Sequence, residues 1–555
     1  MAYFSLHAYD ADVWLQEFRG LNQADIDMNP DIRFAAEEEN VETIHGVLQP
    51  QAAIDVIDGP LGDSSPRIET LAVLHRRWYT GSGEPVWYIC AAGGKLYNRQ
   101  AHNDEAGWAE IPMPAGMASF QSNEWSYVTY ETPVLVSEDP EEYATVDVLL
   151  MSNALDGMIM VIPPQDTNTW NTVENAYTWN DVDDGTWTDL LSPVWSIDVI
   201  NNSVDPDDPT KPRKNFAVIE RYGERIFGTG REGEPDLIEY SRPYDPTDWT
   251  LSGEDEQPED GAGDIQQPSW DGDKFFALKR FGDQLLAFKR DKIWRITGLN
   301  PGEYNMHEQY GRGTELVNTI CVDGEKVYMV DKDGVAVYDG MNTVSYAKDQ
   351  VEVIWRMLNY DARDQICATL FEQRYYVAFP TGDSEVNNAL LVYDLKEGNI
   401  LFYPDMMIEA FLPAYNELLA TSSSLPGKLI RINRDSWESG RASGAACSWT
   451  TPWMDFGYKR IQKGGFDFYF LPEVQDEAVT FIITIQTEKK MKTKRYTCVP
   501  LTDEQKAVPK EHRMKRLHFG GSGRKFRITI ETDAGVTAPW RIIGGLQLVV
   551  ETDPD

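Results

Sequence analysis

Cysteine is scarce in this 555-residue chain: Cys90, Cys321, Cys367, Cys447 and Cys498 stand far apart, are odd in number and form no CxxC pair. That excludes a disulfide framework and a thiolate zinc site, and points to synthesis in a reducing compartment. Basic residues are outnumbered, 50 Lys and Arg against 90 Asp and Glu, for a formal charge of −40. Such a surface repels a phosphate backbone and excludes stable nucleic-acid binding. No apolar run approaches the ~18 residues of a membrane span, and the opening MAYFSLHAYDADVW has no basic stretch leading into an apolar one. Neither a membrane-embedded nor a conventionally secreted protein is expected. Long helical periodicity is missing too, with short helical pieces expected only near residues 31–41 and 350–358.

Aromatic and β-branched residues are present in quantity, with 17 Trp, 26 Tyr and 21 Phe, far more than a disordered acidic chain carries. They occur in short runs between Gly, Asp, Asn and Pro clusters, the pattern of an all-β chain. The runs come as strand, tight turn, strand: VWYICAAGGKLYNR (86–99), VDVLLMSNALDGMIMVI (146–162), YGERIFGTG (222–230), FGDQLLAFKRDKIWRITG (281–298), GEKVYMVDKDGVAVYDG (324–340), QRYYVAFP with ALLVYDLKEGNILFY (373–403) and NELLATSSSLPGKLIRIN (416–433). With Trp87, Val148, Ile226, Leu286, Val327, Tyr376 and Leu418 as markers, the steps run from about 40 to about 80 residues, and ~40–50 is the size of a four-stranded propeller blade. A β-propeller of about seven blades over residues 61–440 is therefore expected. The wide steps hold loop-like inserts at 183–214 and 251–264.

Beyond residue 440 the strands lengthen and alternate, which predicts a C-terminal β-sandwich over 441–555. Charge changes with them: residues 446–555 hold 17 Lys and Arg against 14 Asp and Glu, a net of +3, so residues 1–445 carry −43. Residues 1–60, with few hairpin signals and an acidic run at Glu37, Glu38 and Glu39, read as an N-terminal arm that reaches over a neighbour or closes the ring.

Chemistry-bearing motifs are few. Gly228-Thr-Gly230-Arg-Glu-Gly233 matches GxGxxG, but EPDLIEYSRPYDP follows where a dinucleotide loop needs a helix, so a turn within a blade is the reading. The seven histidines (His7, His45, His75, His102, His307, His512 and His518) show no HExxH or close metal pair, and there is no GxSxG elbow. Asp331-Lys-Asp333-Gly334 and Asp271-Gly-Asp273 are fragments of calcium loops without the remaining ligands, and read as hairpin turns. No catalytic, metal or cofactor site is expected, and no enzyme. Lys489, Lys490, Lys492, Lys494 and Arg495 form a basic cluster, either a solvated hairpin or a contact to an acidic neighbouring subunit. The counterpart acidic surface candidates are Glu254, Asp255, Glu256, Glu259 and Asp260.

Several phrases, taken in order, carry a family likeness: FRGLN (18–22), VDVLLMSNALDGMIMV, IERYGERIFGTGREGEPDLIEYSRPYDPTDW, LLAFKRDKIWRITG, YGRGT followed by DGEKVYMVDKDGVAVYDG, and RYYVAFP before NALLVYDL. Together they resemble the β-propeller structural proteins of tailed bacteriophages, the tail hub and nozzle proteins of stabilisation or minor structural type. The chain departs from many relatives after FRGLN, where ENVETIHGVLQPQ replaces an Asn-Val and Arg-x-Gly continuation. The resemblance implies a virion component made in the host cytoplasm, a homo-oligomeric ring of six copies below the portal and adaptor, lining part of the DNA-ejection channel. An acidic wall suits that role, because it denies the passing duplex the counterion release that makes basic walls adhesive. The alternative is a tail-tip propeller that binds host-surface carbohydrate, for which WNTVENAYTWNDVDDGTW (170–187) supplies Trp and Tyr beside Asp and Asn.

Overall fold

The structure is a computed structural model. It describes residues 5–7, 10–24, 33–57, 67–76, 85–101, 107–138, 141–164, 195–200, 215–231, 233–234, 236–252, 257, 259–266, 273–309, 311–414, 416–455 and 463–552. Seven four-stranded antiparallel sheets follow one another along the chain. Their second strands are Val86–Ala92, Glu141–Asn153, Arg225–Thr229, Gln284–Phe288, Lys326–Asp331, Arg374–Phe379 and Glu417–Thr421. Each of the seven sequence markers falls on one of these strands. They are deeply buried because they have a strand on both sides and a neighbouring sheet on both faces; Arg374–Phe379 is buried at every position.

The sheets close into a ring. The first strand of each lies against the first strand of the next, and Ala410–Ala414 of the seventh returns to Ile68–His75 of the first. Burial follows the same circuit, with one apolar cluster between each adjacent pair of blades. This is a seven-bladed β-propeller. The last blade is completed from the other end of the chain: Ile54–Ile57 pairs antiparallel with Leu429–Ile432, so a strand before the first blade supplies the fourth strand of the seventh.

The C-terminal unit is a β-sandwich. One sheet runs in the order Ser5–His7, Asp10–Leu15, Trp540–Thr552, Lys463–Val474, Lys515–Gly523, with the hairpin Val41–Ile44 and Val47–Pro50 joined to it. The other runs Met491–Cys498, Val479–Thr487, Phe526–Thr532, Cys447–Thr450, Glu37–Glu39. Trp449, Trp540, Phe466, Phe468, Phe470, Phe481, Phe519 and Phe526 fill the space between them.

The expected arm of residues 1–60 thus contributes strands to both units. The described part of the first expected helix, residues 33–41, is not helical: Phe34–Ala35 and Glu37–Glu39 are strands, because pairing with Arg19–Leu21 and with Cys447–Thr450 outweighs the helix propensity of the Ala- and Glu-rich stretch. The second expected piece does contain the short helix Glu352–Trp355. FRGLN joins the two units. Phe18 is buried in the sandwich, edge-on to Trp449 at 5.0 Å, while Leu21, three residues on, sits in the cluster between blades five and six. Between them Gly20 presses on the sixth blade, where a Cβ would stand 2.3 Å from the Ile400 carbonyl oxygen. Only glycine fits there.

Candidate functional site

The basic cluster lies on an open edge. Met491–Cys498 is the terminal strand of its sheet, and Lys489, Lys490, Lys492, Lys494 and Arg495 are all exposed. The pleat divides them. Lys492 and Lys494 stand opposite the buried Ile485 and Ile483, so they belong to the face turned toward the other sheet, whereas Arg495 stands opposite Ile482 on the outer face. Lys494 reaches Phe519, its ammonium 5.6 Å from the ring centre, and Arg495 pairs with Asp533 at 3.1 Å. Inward-pointing charge on a terminal strand discourages further strands from adding.

A second open edge lies beside the first. Lys515–Gly523 ends the opposite sheet and touches Met491–Cys498. It carries Arg516 and His518, both reaching Asp467, at 2.6 and 2.9 Å. The Arg516 hydrogen bond, helped by His518, holds the Asp467 carboxyl below the usual carboxylate range. The two edges form a basic ridge on a strongly acidic chain.

Of the acidic candidates, Glu254, Asp255 and Glu256 lie outside the described residues. Glu259 and Asp260 are exposed on the loop between the third and fourth strands of blade three. Arg225, buried beneath, braces that loop by donating to the carbonyls of Ser241 (2.6 Å), Gly261 (2.7 Å) and Glu259. The aromatic stretch 170–187, the carbohydrate candidate, also falls outside the described residues.

On the propeller, turns and connections of blades four to six line a small open cleft of about 80 Å³. Its charged walls are paired with one another. Glu315 accepts from Arg290 at 2.9 Å and Arg363 at 3.1 Å, Arg312 binds Asp331 at 3.1 Å and also Asp333, and Lys332 approaches Asp291 at 3.4 Å. Partners come from different blades or connections, so the network ties blades together and spends its guanidinium groups on internal carboxylates. Lys289, 2% exposed, does the same between blades three and four, donating to Asp236 and to the Asp273 carbonyl, both at 2.9 Å.

The remaining motifs take structural places. Gly228 is inside the strand Arg225–Thr229, pressed against the Phe216 ring, and Gly230 leads by a turn to Leu237–Tyr240, a strand. Asp331 and Gly334 close a hairpin, with Gly334 at φ +112° and the Asp333 amide bonded to the Asp331 carboxylate at 2.7 Å. Asp271 lies outside the described residues. Burial pushes every thiol up: Cys321 and Cys447 to about 12, Cys498 to about 11, and Cys90 and Cys367 further. Each is a neutral, unreactive packing group at ordinary pH. Among the described residues no three His, Cys, Asp or Glu side chains converge as metal ligands, and no helix is long and apolar enough to cross a membrane.

Sequence reasoning located the basic cluster but missed its companion edge, whose Arg516 and His518 are spread through a strand. It also missed a buried acid pair at the junction of the two units, because Glu38 stands inside what reads as a solvated acidic run.

No family model and no curated protein matches the chain. Solved structures similar to it include the WD40 domain of Pan2 from Neurospora crassa, 9% identical over 67% of this chain and 90% of that one, with a TM-score of 0.33. PorZ of the Porphyromonas gingivalis type-IX secretion system is 11% identical over 69% of this chain and 37% of its own length, TM-score 0.32. An exo-β-1,3-galactanase from Phanerochaete chrysosporium is 8% identical over 60% of this chain and 94% of that one, TM-score 0.23.

Proposed function

We propose that this chain is a structural protein of a bacteriophage tail, a hub or nozzle subunit that assembles as a ring below the portal and adaptor and forms part of the passage for viral DNA. The observation that carries the reading is the division of charge. Residues 1–445 hold −43, while the sandwich, at +3 over residues 446–555, displays its cations on two adjoining open edges. A head-to-tail ring brings one copy's basic ridge to the next copy's acidic propeller, an arrangement that offsets the self-repulsion of so anionic an assembly. The wall left facing the passage is acidic and gives the duplex nothing to grip. The likeness of the propeller phrases to tail hub and nozzle proteins supports the same reading.

The test is assembly. Purified protein, alone or with portal and adaptor, is expected to form rings by electron microscopy, weakening as salt rises. Replacing Lys489, Lys490, Lys492, Lys494 and Arg495 together by Ser should abolish the salt dependence and most of the assembly. Unchanged rings with unchanged salt response would remove the basic ridge from the interface. A monomer that binds host envelope polysaccharide would replace this reading with the carbohydrate-binding one.

A further inference from the structure

The junction between the sandwich and blade six contains two carboxyl groups with no counter-charge of their own. Glu38, on Glu37–Glu39, is 2% exposed and Glu42, on Val41–Ile44, 3% exposed. Neither carboxyl oxygen of Glu38 has a hydrogen-bond partner; Glu42 accepts from the Tyr403 hydroxyl at 3.2 Å, and the Gln49 amide also bears on its carboxyl. Asn40 lies between them at φ +54°, its amide donating 3.1 Å to the Phe402 carbonyl of blade six and its side chain 2.9 Å to the Ala446 carbonyl. The acids therefore occupy the seam along which the two units are stitched.

Charged and titratable groups face this seam from each side. Blade six supplies Arg374, Tyr376, Asp394 and Tyr403; the Arg374 guanidinium, the nearest cation, is already bonded to Asp394 at 2.9 Å, both side chains 3% exposed. Asp435, ahead of the helix Ser436–Ser439, repels Glu42 and takes the Gln49 amide at 2.9 Å. Arg434 acts on Tyr376 from the same connection. The sandwich strand Cys447–Thr450 brings only the Cys447 thiol, bonded to the Asn40 carbonyl, and Trp449, which stands opposite Glu38. At the outer ends Glu37 pairs with Arg527 and His45 with Glu397.

We propose that this seam is a proton-operated latch: it is closed with Glu38 and Glu42 neutral, and loss of their protons drives the sandwich away from blade six. Burial, with Glu42 as a like-charged neighbour, raises Glu38 well above the ordinary carboxyl range; burial raises Glu42 to about 8 despite the opposing pull of Arg374. Both acids are raised in the closed form, so the latch is strongest below about pH 4.3, the value of an exposed Glu, and weakens as pH rises toward the closed-form values. Over that window each acid releases about one proton on opening, and each proton multiplies the opening constant about tenfold per pH unit.

The experiment is hydrogen exchange of residues 36–44 in the full chain between pH 5 and pH 8, corrected for intrinsic base catalysis. Wild type is expected to show an opening constant that rises about a hundredfold per pH unit, and Glu38→Gln and Glu42→Gln each a slope smaller by one proton, about tenfold per unit. A flat wild-type profile, or variants that keep the full slope, would overturn the latch. Infrared spectra of wild-type protein at pH 7 provide a readout that needs no variant: a protonated carboxylic acid band is expected, and its absence overturns the proposal.

Discussion

The propeller spreads its hydrophobic core over seven interfaces of similar size, whereas the sandwich gathers nine large aromatic side chains into one. Their sheet edges differ as well. The propeller completes its ring with Ile54–Ile57 and leaves only short outer strands terminal in its blades, while the sandwich leaves the longer Met491–Cys498 and Lys515–Gly523 terminal and covers them with charge. The lesson is that closure and charge are alternative answers to the same exposed backbone. Residues 446–555, which hold the two long open edges, carry 17 of the 50 Lys and Arg in a fifth of the chain, a density about twice that of the rest.

Breaking the link between the two units should have the largest effect. Phe18→Ala empties a position buried in the sandwich core and is expected to lower the stability of that unit by about 3–5 kcal/mol. Calorimetry should show the sandwich transition shifted while the propeller transition, whose cores Phe18 does not enter, stays in place. A common shift of both would mean that the units unfold as one.

Replacing Lys492 and Lys494 together by Val tests whether charge stands in for closure. The apolar edge should still pack against Phe519 but lose its guard. Concentration-dependent association is expected by light scattering at high salt, where the charge-driven association of the wild type is weakened. No change in association would show that the inward lysines are packing groups alone.

The smallest effect is at the companion edge. Asp467 is held below its ordinary range by Arg516 and His518, so its stabilisation is present above about pH 3.9, the value of an exposed Asp, and is lost as pH falls through the lower folded value. Asp467→Asn should remove less than about 1 kcal/mol at pH 7, because Arg516 and His518 are largely exposed. The difference from wild type should fade in melts taken below pH 3.

Much of the ring could be read from local pattern. The seven markers land on second strands because those strands are bounded by tight turns and buried on both faces, so they appear as uninterrupted apolar runs. Apart from Asn399–Pro404 in blade six, fourth strands were not legible: Ala109–Glu110 and Thr343–Ser345 are short and largely exposed, and Ile54–Ile57 finds its partner more than 370 residues away. The basic cluster was legible as composition, but its division into Lys492 and Lys494 on one face and Arg495 on the other depends on a register that only pairing with Val479–Thr487 sets. Glu37, Glu38 and Glu39 look alike in the sequence, yet the pleat leaves the outer two in solvent and buries the middle one.

The two ends of the described chain are laid side by side. Asp10–Leu15 pairs with Leu546–Glu551, in the interior of one sheet. During synthesis, the first fifty-seven residues leave the ribosome with no partner for any of their long-range strands. Blade seven cannot be finished until residue 432 has emerged, nor the sandwich sheet until residue 551 has. A nascent chain therefore carries an incomplete circle until residue 432 has emerged, and an unpaired segment at residues 10–15 until residue 551 has. Pairings of such sequence separation make both closures late, slow steps of folding.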